Sequence, residues 1–190
     1  MVAAARPFTT FLGEFLRDPA MVASAVPSST ALVERTLSGI DWREVRTLVE
    51  YGPGVGSFTR AALRHMRPDA RLIAIDTSAS FTRYLNAIDD HRLSAVEGSA
   101  VDAVQIVSEL NAAPVDVVLS GLPFSNLRPG MGDTIVWASA QLLRPRGQFI
   151  AYQFRPAIRS LLTAVFGTVE EEHEWRNVPP LTIYRAYKSE

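Results

Sequence analysis

Between Val45 and Phe154, five short apolar runs alternate with stretches of helical periodicity. The runs are Val45 to Tyr51, Leu72 to Asp76, Leu93 to Glu97, Val115 to Ser120 and Gln148 to Phe154; the helical stretches lie near 57–66, 78–88, 100–110 and 132–143. No other feature constrains the chain as much. Near-continuous apolar runs of this length are strands buried on both faces, and each is followed by enough chain for a helical crossover. The implied class is α/β, a three-layer αβα arrangement with a mostly parallel sheet. A helix over Ile158 to Phe166 and strands near 168–175 and 181–187 follow. Only Asn177-Val178-Pro179-Pro180 separates the last two, and so short a turn joins antiparallel neighbours.

Ahead of this core, Phe8, Phe11, Leu12, Phe15 and Leu16 fall on one face of a helix that ends near Asp18-Pro19. A short helix is expected over Met21 to Ala25. A third runs from a cap at Ser28 or Ser29 to Gly39. Without repeats or linkers, residues 1–190 read as one domain, 1–40 a helical cover and 41–190 the α/β core, long enough to bury a core without disulfides or metals. The chain has no cysteine, which excludes a thiolate metal site or cysteine nucleophile and fits a cytoplasmic protein. A net charge of -1 gives no overall electrostatic reason to expect nucleic acid as a partner, a local basic patch being the alternative. The start lacks the apolar core of a signal peptide, and no run reaches the roughly 18 apolar residues of a spanning helix.

The segment LVEYGPGVGSF, Leu48 to Phe58, joins the first strand to a helix and places Gly52, Gly54 and Gly56 at alternate positions. Such glycines let backbone approach a ligand closely, and Ser57 can cap the helix whose amides face the same crevice, which points to a nucleotide-like cofactor. A strand-to-helix turn that binds nothing is the alternative. Asp76 ends the second strand, 24 positions after Gly52, near the spacing at which an acid accepts hydrogen bonds from ribose hydroxyls. It can equally cap the next helix. Glu50 closes an apolar strand, where a carboxylate is costly to bury unless donors meet it.

Five crossover strands closed by an antiparallel pair differ from the dinucleotide-binding arrangement and resemble the seven-stranded fold of class I S-adenosylmethionine-dependent methyltransferases. The resemblance implies S-adenosylmethionine as cofactor and S-adenosylhomocysteine as product. It assigns Glu50, Tyr51, Gly52, Gly54, Gly56 and Ser57 to the cofactor loop and Asp76 with Thr77 to the ribose. Gly98, Ser99 and Ala100 fall at the adenine, Ser99 standing where relatives often carry aspartate.

The stretch SGLPFSN, Ser120 to Asn126, resembles the Asn-Leu-Pro-Tyr/Phe loops of enzymes that methylate amino nitrogens. Transfer from a sulfonium is an in-line displacement, so a neutral nitrogen must be held about 3 Å from the methyl carbon in a site that excludes water. In that reading the carbonyls around Ser120, Gly121 and Leu122 accept from the amine, Phe124 packs on it, and Ser120 also touches the cofactor. Gly121 stands where the loop usually has a polar side chain, which removes one acceptor. The alternative is a proline turn with Phe124 in the core. Tyr152, Tyr51 and Asp116 are the candidates for a base, if the amine arrives protonated.

Over nearly its whole length the chain resembles the soluble bacterial phospholipid N-methyltransferases, which methylate phosphatidylethanolamine. The amphipathic opening with Pro27-Ser28-Ser29, the loop VEYGPGVGSFT, the loop VLSGLPFSNL and the closing NVPPLTIYRAYK carry the likeness. It implies that Ser28 and Ser29 lie over the cofactor, helix capping being the alternative, and that the acceptor is a lipid amine. Against that, Arg6, Arg17 and Arg35 are balanced by Glu14, Asp18 and Glu34, so the Phe8 to Leu16 helix either touches a membrane weakly or packs on the fold. The segment AYQFRPAIRS also departs from the family's Tyr-Gly-Pro, with Arg155 and Arg159 either binding an anionic group of a small substrate or standing in solvent. A small-molecule methyltransferase and a cofactor binder that transfers no methyl therefore remain open. The run Glu170 to Glu174, with His173 opposite Glu170, Glu172 and Glu174, reads as a solvated edge and not a metal site.

Overall fold

The computed structural model describes residues 29–176 and 180–190. The helices expected over Phe8 to Leu16 and Met21 to Ala25, the residue Ser28 and most of the Asn177 to Pro180 turn lie outside the described residues. In chain order the elements are α1 (Thr30–Leu37), β1 (Thr47–Tyr51), α2 (Ser57–His65), β2 (Arg71–Asp76), α3 (Ala79–Asn86) and β3 (Leu93–Glu97). A 3-10 turn (Ala100–Asp102) leads into α4 (Ala103–Glu109) and β4 (Val115–Ser120). A second 3-10 turn (Phe124–Asn126) precedes α5 (Met131–Leu142), β5 (Leu143–Gln153), α6 (Ala157–Phe166), β6 (Val169–Glu174) and β7 (Leu181–Tyr187).

The seven strands form one sheet in the order β3-β2-β1-β4-β5-β7-β6. The first five are parallel, and β7 runs antiparallel to both β5 and β6. This is the α/β class expected from the alternation. Strand β5 begins five residues earlier than expected, because Leu143 pairs with Val115 ahead of a register shift and the irregular Arg144-Pro145-Arg146 segment stays in the ladder.

Alternation along each strand divides the core in two. Leu48, Leu72, Ala74, Leu119 and Ile150 face α1, α2 and α3, while Val49, Ile73, Val118, Phe149 and Ala151 face α4, α5 and α6. Each buried Leu, Val, Ile or Phe contributes about 1.5–3 kcal/mol relative to exposure. The strand order reverses between β1 and β4, so the carboxyl ends of these two strands flank a crevice, the usual ligand position of an open α/β sheet.

The acidic run lies on the edge strand, where Glu170, Glu171 and His173 are exposed as expected, but Glu172 and Glu174 turn inward. Glu172 and Glu174 share a face of β6 and both approach Arg35 of α1, Glu172 at 2.6 Å, and Glu174 is only 1% exposed. Three hydrogen bonds from Arg176, two from its guanidinium and one from its amide, hold the Glu174 carboxyl down at about 2. On the other face Glu171 pairs with Arg159 of α6. Buried Arg185 of β7 donates to the carbonyls of Thr36 and Arg35, 3.0 Å each, at the last turn of α1, where a cation suits the helix dipole. A Cβ at Gly39 would stand 2.8 Å from the Arg185 Cζ, so glycine makes room for the guanidinium. The acids on β6 and the arginine on β7 thus dock α1 onto the sheet.

Candidate active site

The chain leaves β1 through Gly52, Gly54 and Gly56, with φ of 65°, 53° and 78°, a region that costs other residues about 1–2 kcal/mol each. Gly56 occupies the cap position of α2, and no side chain caps that helix. Ser57 is therefore the first helical residue and not the cap, and a side chain at Gly56 would meet Leu85 Cδ2 at 2.6 Å. The uncapped N-terminus of α2 opens toward the crevice.

Asp76 is not the cap of α3, a position that Ser78 takes; its carboxylate bridges two backbone amides. One carboxylate oxygen accepts from Ser78 N at 2.8 Å, at the start of α3, and the other from Gly54 N at 3.2 Å, which ties the end of β2 to the glycine loop. Burial raises its pKa, against the Ser78 and Gly54 amides. Glu50, 2% exposed, accepts from the Thr59 hydroxyl at 2.6 Å. Burial pushes the Glu50 carboxyl up to about 7; Thr59 opposes this and the Asp76 charge adds to it. Two acids whose charge is costly beside one loop favour a cationic ligand. Thr59 was not legible as the partner, because only the fold brings the first turn of α2 back over β1.

The adjacent residue points the other way. Tyr51 is fully buried with its hydroxyl 3.2 Å from Ser139 Oγ of α5, and burial raises its pKa. It is neither a base nor a side-chain ligand of the crevice; only its backbone reaches the site, where its carbonyl accepts from Gly121 N at 2.9 Å. Asp116 is no base either. It sits at the opposite end of β4, accepts from the amides of Arg46 and Thr47, 2.8 Å each, and pairs with Arg144. Thr77 is exposed beside Asp76. Gly98 N donates to the Asp76 carbonyl at 2.9 Å, and a Cβ there would press on Ile106 at 2.8 Å. Ser99 caps the 3-10 turn that begins at buried Ala100, its hydroxyl accepting from Val101 N. Ser29 caps α1, accepting from Leu32 N at 3.2 Å.

Across the crevice, Ser120 is buried and its hydroxyl accepts from Leu122 N at 3.4 Å. Gln153, at the end of β5, holds the loop that follows: its carboxamide donates to the Leu122 carbonyl at 2.7 Å and accepts from Phe124 N at 3.3 Å. Phe124 is 7% exposed in the core beside Gly132 and α6, so its ring does not line the crevice as the amine-packing reading requires. Gln153 escaped the sequence reading, although a carboxamide on the same face as Phe149 and Ala151 is a polar group in a core position and signals a buried partner. Tyr152 points to the α2 side, stacked on Phe58 with ring centroids 4.5 Å apart. Of the two arginines, Arg159 is engaged by Glu171 and Arg155 is exposed. Among the described residues no group of His, Asp or Glu could hold a metal ion, and no helix is long and apolar enough to cross a membrane.

No protein-family model matches the chain. The chain is 30% identical over 182 residues to the ornithine lipid N-methyltransferase of Singulisphaera acidiphila, covering 94% of this chain and 95% of that one. Its fold is similar to the O-methyltransferase TomG of Streptomyces achromogenes in complex with S-adenosylmethionine, TM-score 0.71, at 17% identity over 100% of this chain and 93% of that one. It is also similar to the N-methyltransferase NodS of Bradyrhizobium japonicum in complex with S-adenosylhomocysteine, TM-score 0.66, at 15% identity over 95% and 98% of the two chains.

Proposed function

The chain belongs to the class I S-adenosylmethionine-dependent methyltransferases, in the family of the ornithine lipid N-methyltransferase, and from that premise we propose that it methylates the amine of a membrane lipid head group. The observation that carries the reading is the crevice between β1 and β4. On one side stand three left-handed glycines with Asp76 and Glu50; on the other, a backbone-rich loop is clamped by Gln153.

The residues present fit the cofactor. All three glycines have a positive φ, where other residues are strained, and a Cβ at Gly52 would stand 3.0 Å from Leu122 Cδ2, so glycine there keeps the gap between the two loops open. In this reading Asp76 holds the ribose hydroxyls, and Glu50 draws the cationic methionine portion toward the loop. Gly98, Ser99 and Ala100 border the adenine. Bound there, the cofactor supplies a sulfonium methyl. The chain's own part is to hold an amine lone pair in line with that methyl and to exclude water, using the carbonyls of Ser120 and Gly121 as acceptors on a loop that Gln153 keeps rigid.

The lipid is supported by the rim. Phe154 and Trp175, 57% and 71% exposed, stand just past the paired ends of β5 and β6, on the two flanks of β7 at the carboxyl edge of the sheet. Arg155, next to Phe154 in the chain, is also exposed, as is Arg128 ahead of α5. Aromatic rings beside arginines suit a lipid–water interface. The test is S-adenosylhomocysteine formation with phosphatidylethanolamine, an ornithine-containing lipid and water-soluble amines, each in mixed micelles. Turnover of either lipid is expected. Turnover of soluble amines alone moves the activity to a small-molecule substrate, and cofactor binding without any turnover leaves a non-methylating binder.

A further inference from the structure

The geometry points to the Tyr152 hydroxyl as the side-chain group that meets the acceptor amine, admitted to that position because residue 121 is glycine; this rests on the methyltransferase reading above. Three residues lie in one row. The paired register runs Tyr51 to Ser120 to Ala151 across β1, β4 and β5. One residue further on, at the mouth of the crevice, it reaches Gly52, Gly121 and Tyr152.

A Cβ built on Gly121 would overlap the Tyr152 hydroxyl oxygen, standing 3.2 Å from the ring Cζ and 3.0 Å from the Gly52 carbonyl oxygen. The hydroxyl therefore fills the volume that a side chain at 121 would take, between the glycine loop and the acceptor loop. Its ring is fixed by the stack on Phe58, which is 2% exposed in the first turn of α2, so the helix that follows the glycine loop also orients the hydroxyl.

At that point a phenol oxygen accepts a hydrogen bond from an amine N–H and turns the nitrogen lone pair toward the donor methyl. As the N–C bond forms, the C–S bonding pair passes to sulfur and the surplus proton leaves the nitrogen for solvent. Tyr152 supplies orientation, and residue 121 decides whether it can reach.

The experiment is an exchange between the two positions. In Tyr152→Phe, which keeps the stack on Phe58, kcat with the amine acceptor should fall roughly 10- to 100-fold. Acceptor affinity measured by calorimetry with S-adenosylhomocysteine present should weaken, while S-adenosylmethionine affinity stays unchanged. Gly121→Asn should be nearly inactive, because its side chain collides with the hydroxyl. Combining it with Tyr152→Leu, which removes both Cζ and the hydroxyl, should recover at least roughly tenfold over Gly121→Asn alone. An active wild type whose Tyr152→Phe variant keeps kcat and acceptor affinity within about twofold overturns the proposal and leaves the methyltransferase reading standing. A wild type that binds the cofactor yet methylates no amine overturns both.

Discussion

On the β1 side of the crevice, the shape of the loop is written into three backbone conformations that only glycine adopts at low cost, and Asp76 ties that loop to the neighbouring strand. On the β4 side, the Leu122-Pro123-Phe124 backbone is held chiefly by the buried carboxamide of Gln153, 29 residues beyond Phe124 in the chain. The donor side is set locally, the acceptor side by a tertiary contact. A loop of the first kind tolerates change around it and fails abruptly when its own residues change. A loop of the second kind is moved by its support, so the choice of acceptor can alter while the donor site stays as it is.

The largest effect expected from this contrast is in the local loop. Gly56→Val places a branched side chain at φ 78°, where its Cβ meets Leu85 Cδ2 at 2.6 Å. Strain of about 1–2 kcal/mol and overpacking of about 1–3 kcal/mol add, so the melting midpoint should drop by roughly 5–15 °C and cofactor affinity should collapse with it. A midpoint and affinity unchanged by this substitution would show that the loop is not set by its glycines.

Gln153→Leu tests the other side. The Leu122 carbonyl and the Phe124 amide would lose their partner in a buried setting, at about 1–3 kcal/mol each. Here kcat should fall roughly 10- to 100-fold while S-adenosylmethionine affinity, read by calorimetry, stays within about twofold. Equal losses in both would mean that the two loops form one unit. Asp76→Ala should give the converse result: cofactor affinity down roughly tenfold or more from the loss of charge-assisted hydrogen bonds, with kcat at saturating cofactor little changed.

The same contrast explains what could be read from the chain alone. The alternation of runs gave the α/β sheet, its antiparallel close and the boundaries of most elements to within a few residues, because burial on both faces leaves its mark on consecutive residues. The glycine turn at Gly52, Gly54 and Gly56 and the place of Asp76 at the end of β2 were legible for a related reason: each is a local feature of the chain. Gln153, Thr59 and the core position of Phe124 were not, since each depends on which elements meet. Tyr51 and Glu50 differ by one residue and face opposite layers, so one closes a core contact with Ser139 of α5 and the other is met by Thr59 of α2. The inward turn of Glu172 and Glu174 was hidden for the same reason: Arg35 of α1 and Arg185 of β7 reach them only through packing, whereas Arg176 meets Glu174 from two residues away.

The smallest effect expected is a pH dependence confined to the donor side. Glu50 has a folded-state pKa of about 7, above the ordinary value of 4.5. Between those two values the folded protein binds more protons at this site than the unfolded chain does, so the contribution of Glu50 to stability falls as pH rises through the window and is level above 7. Glu50→Gln, which can still accept from Thr59, should remove that part of the slope of melting midpoint against pH. A cationic ligand beside Glu50 favours its charged form, so binding S-adenosylmethionine near pH 6.5 should release a fraction of one proton. Binding enthalpies measured in two buffers of different ionisation heat would show the release, and Glu50→Gln should abolish it. Gln153→Leu should release the same fraction as the wild type, because the acceptor loop it supports holds no group of this kind; a changed release in that variant would mean that the two sides of the crevice are electrostatically coupled.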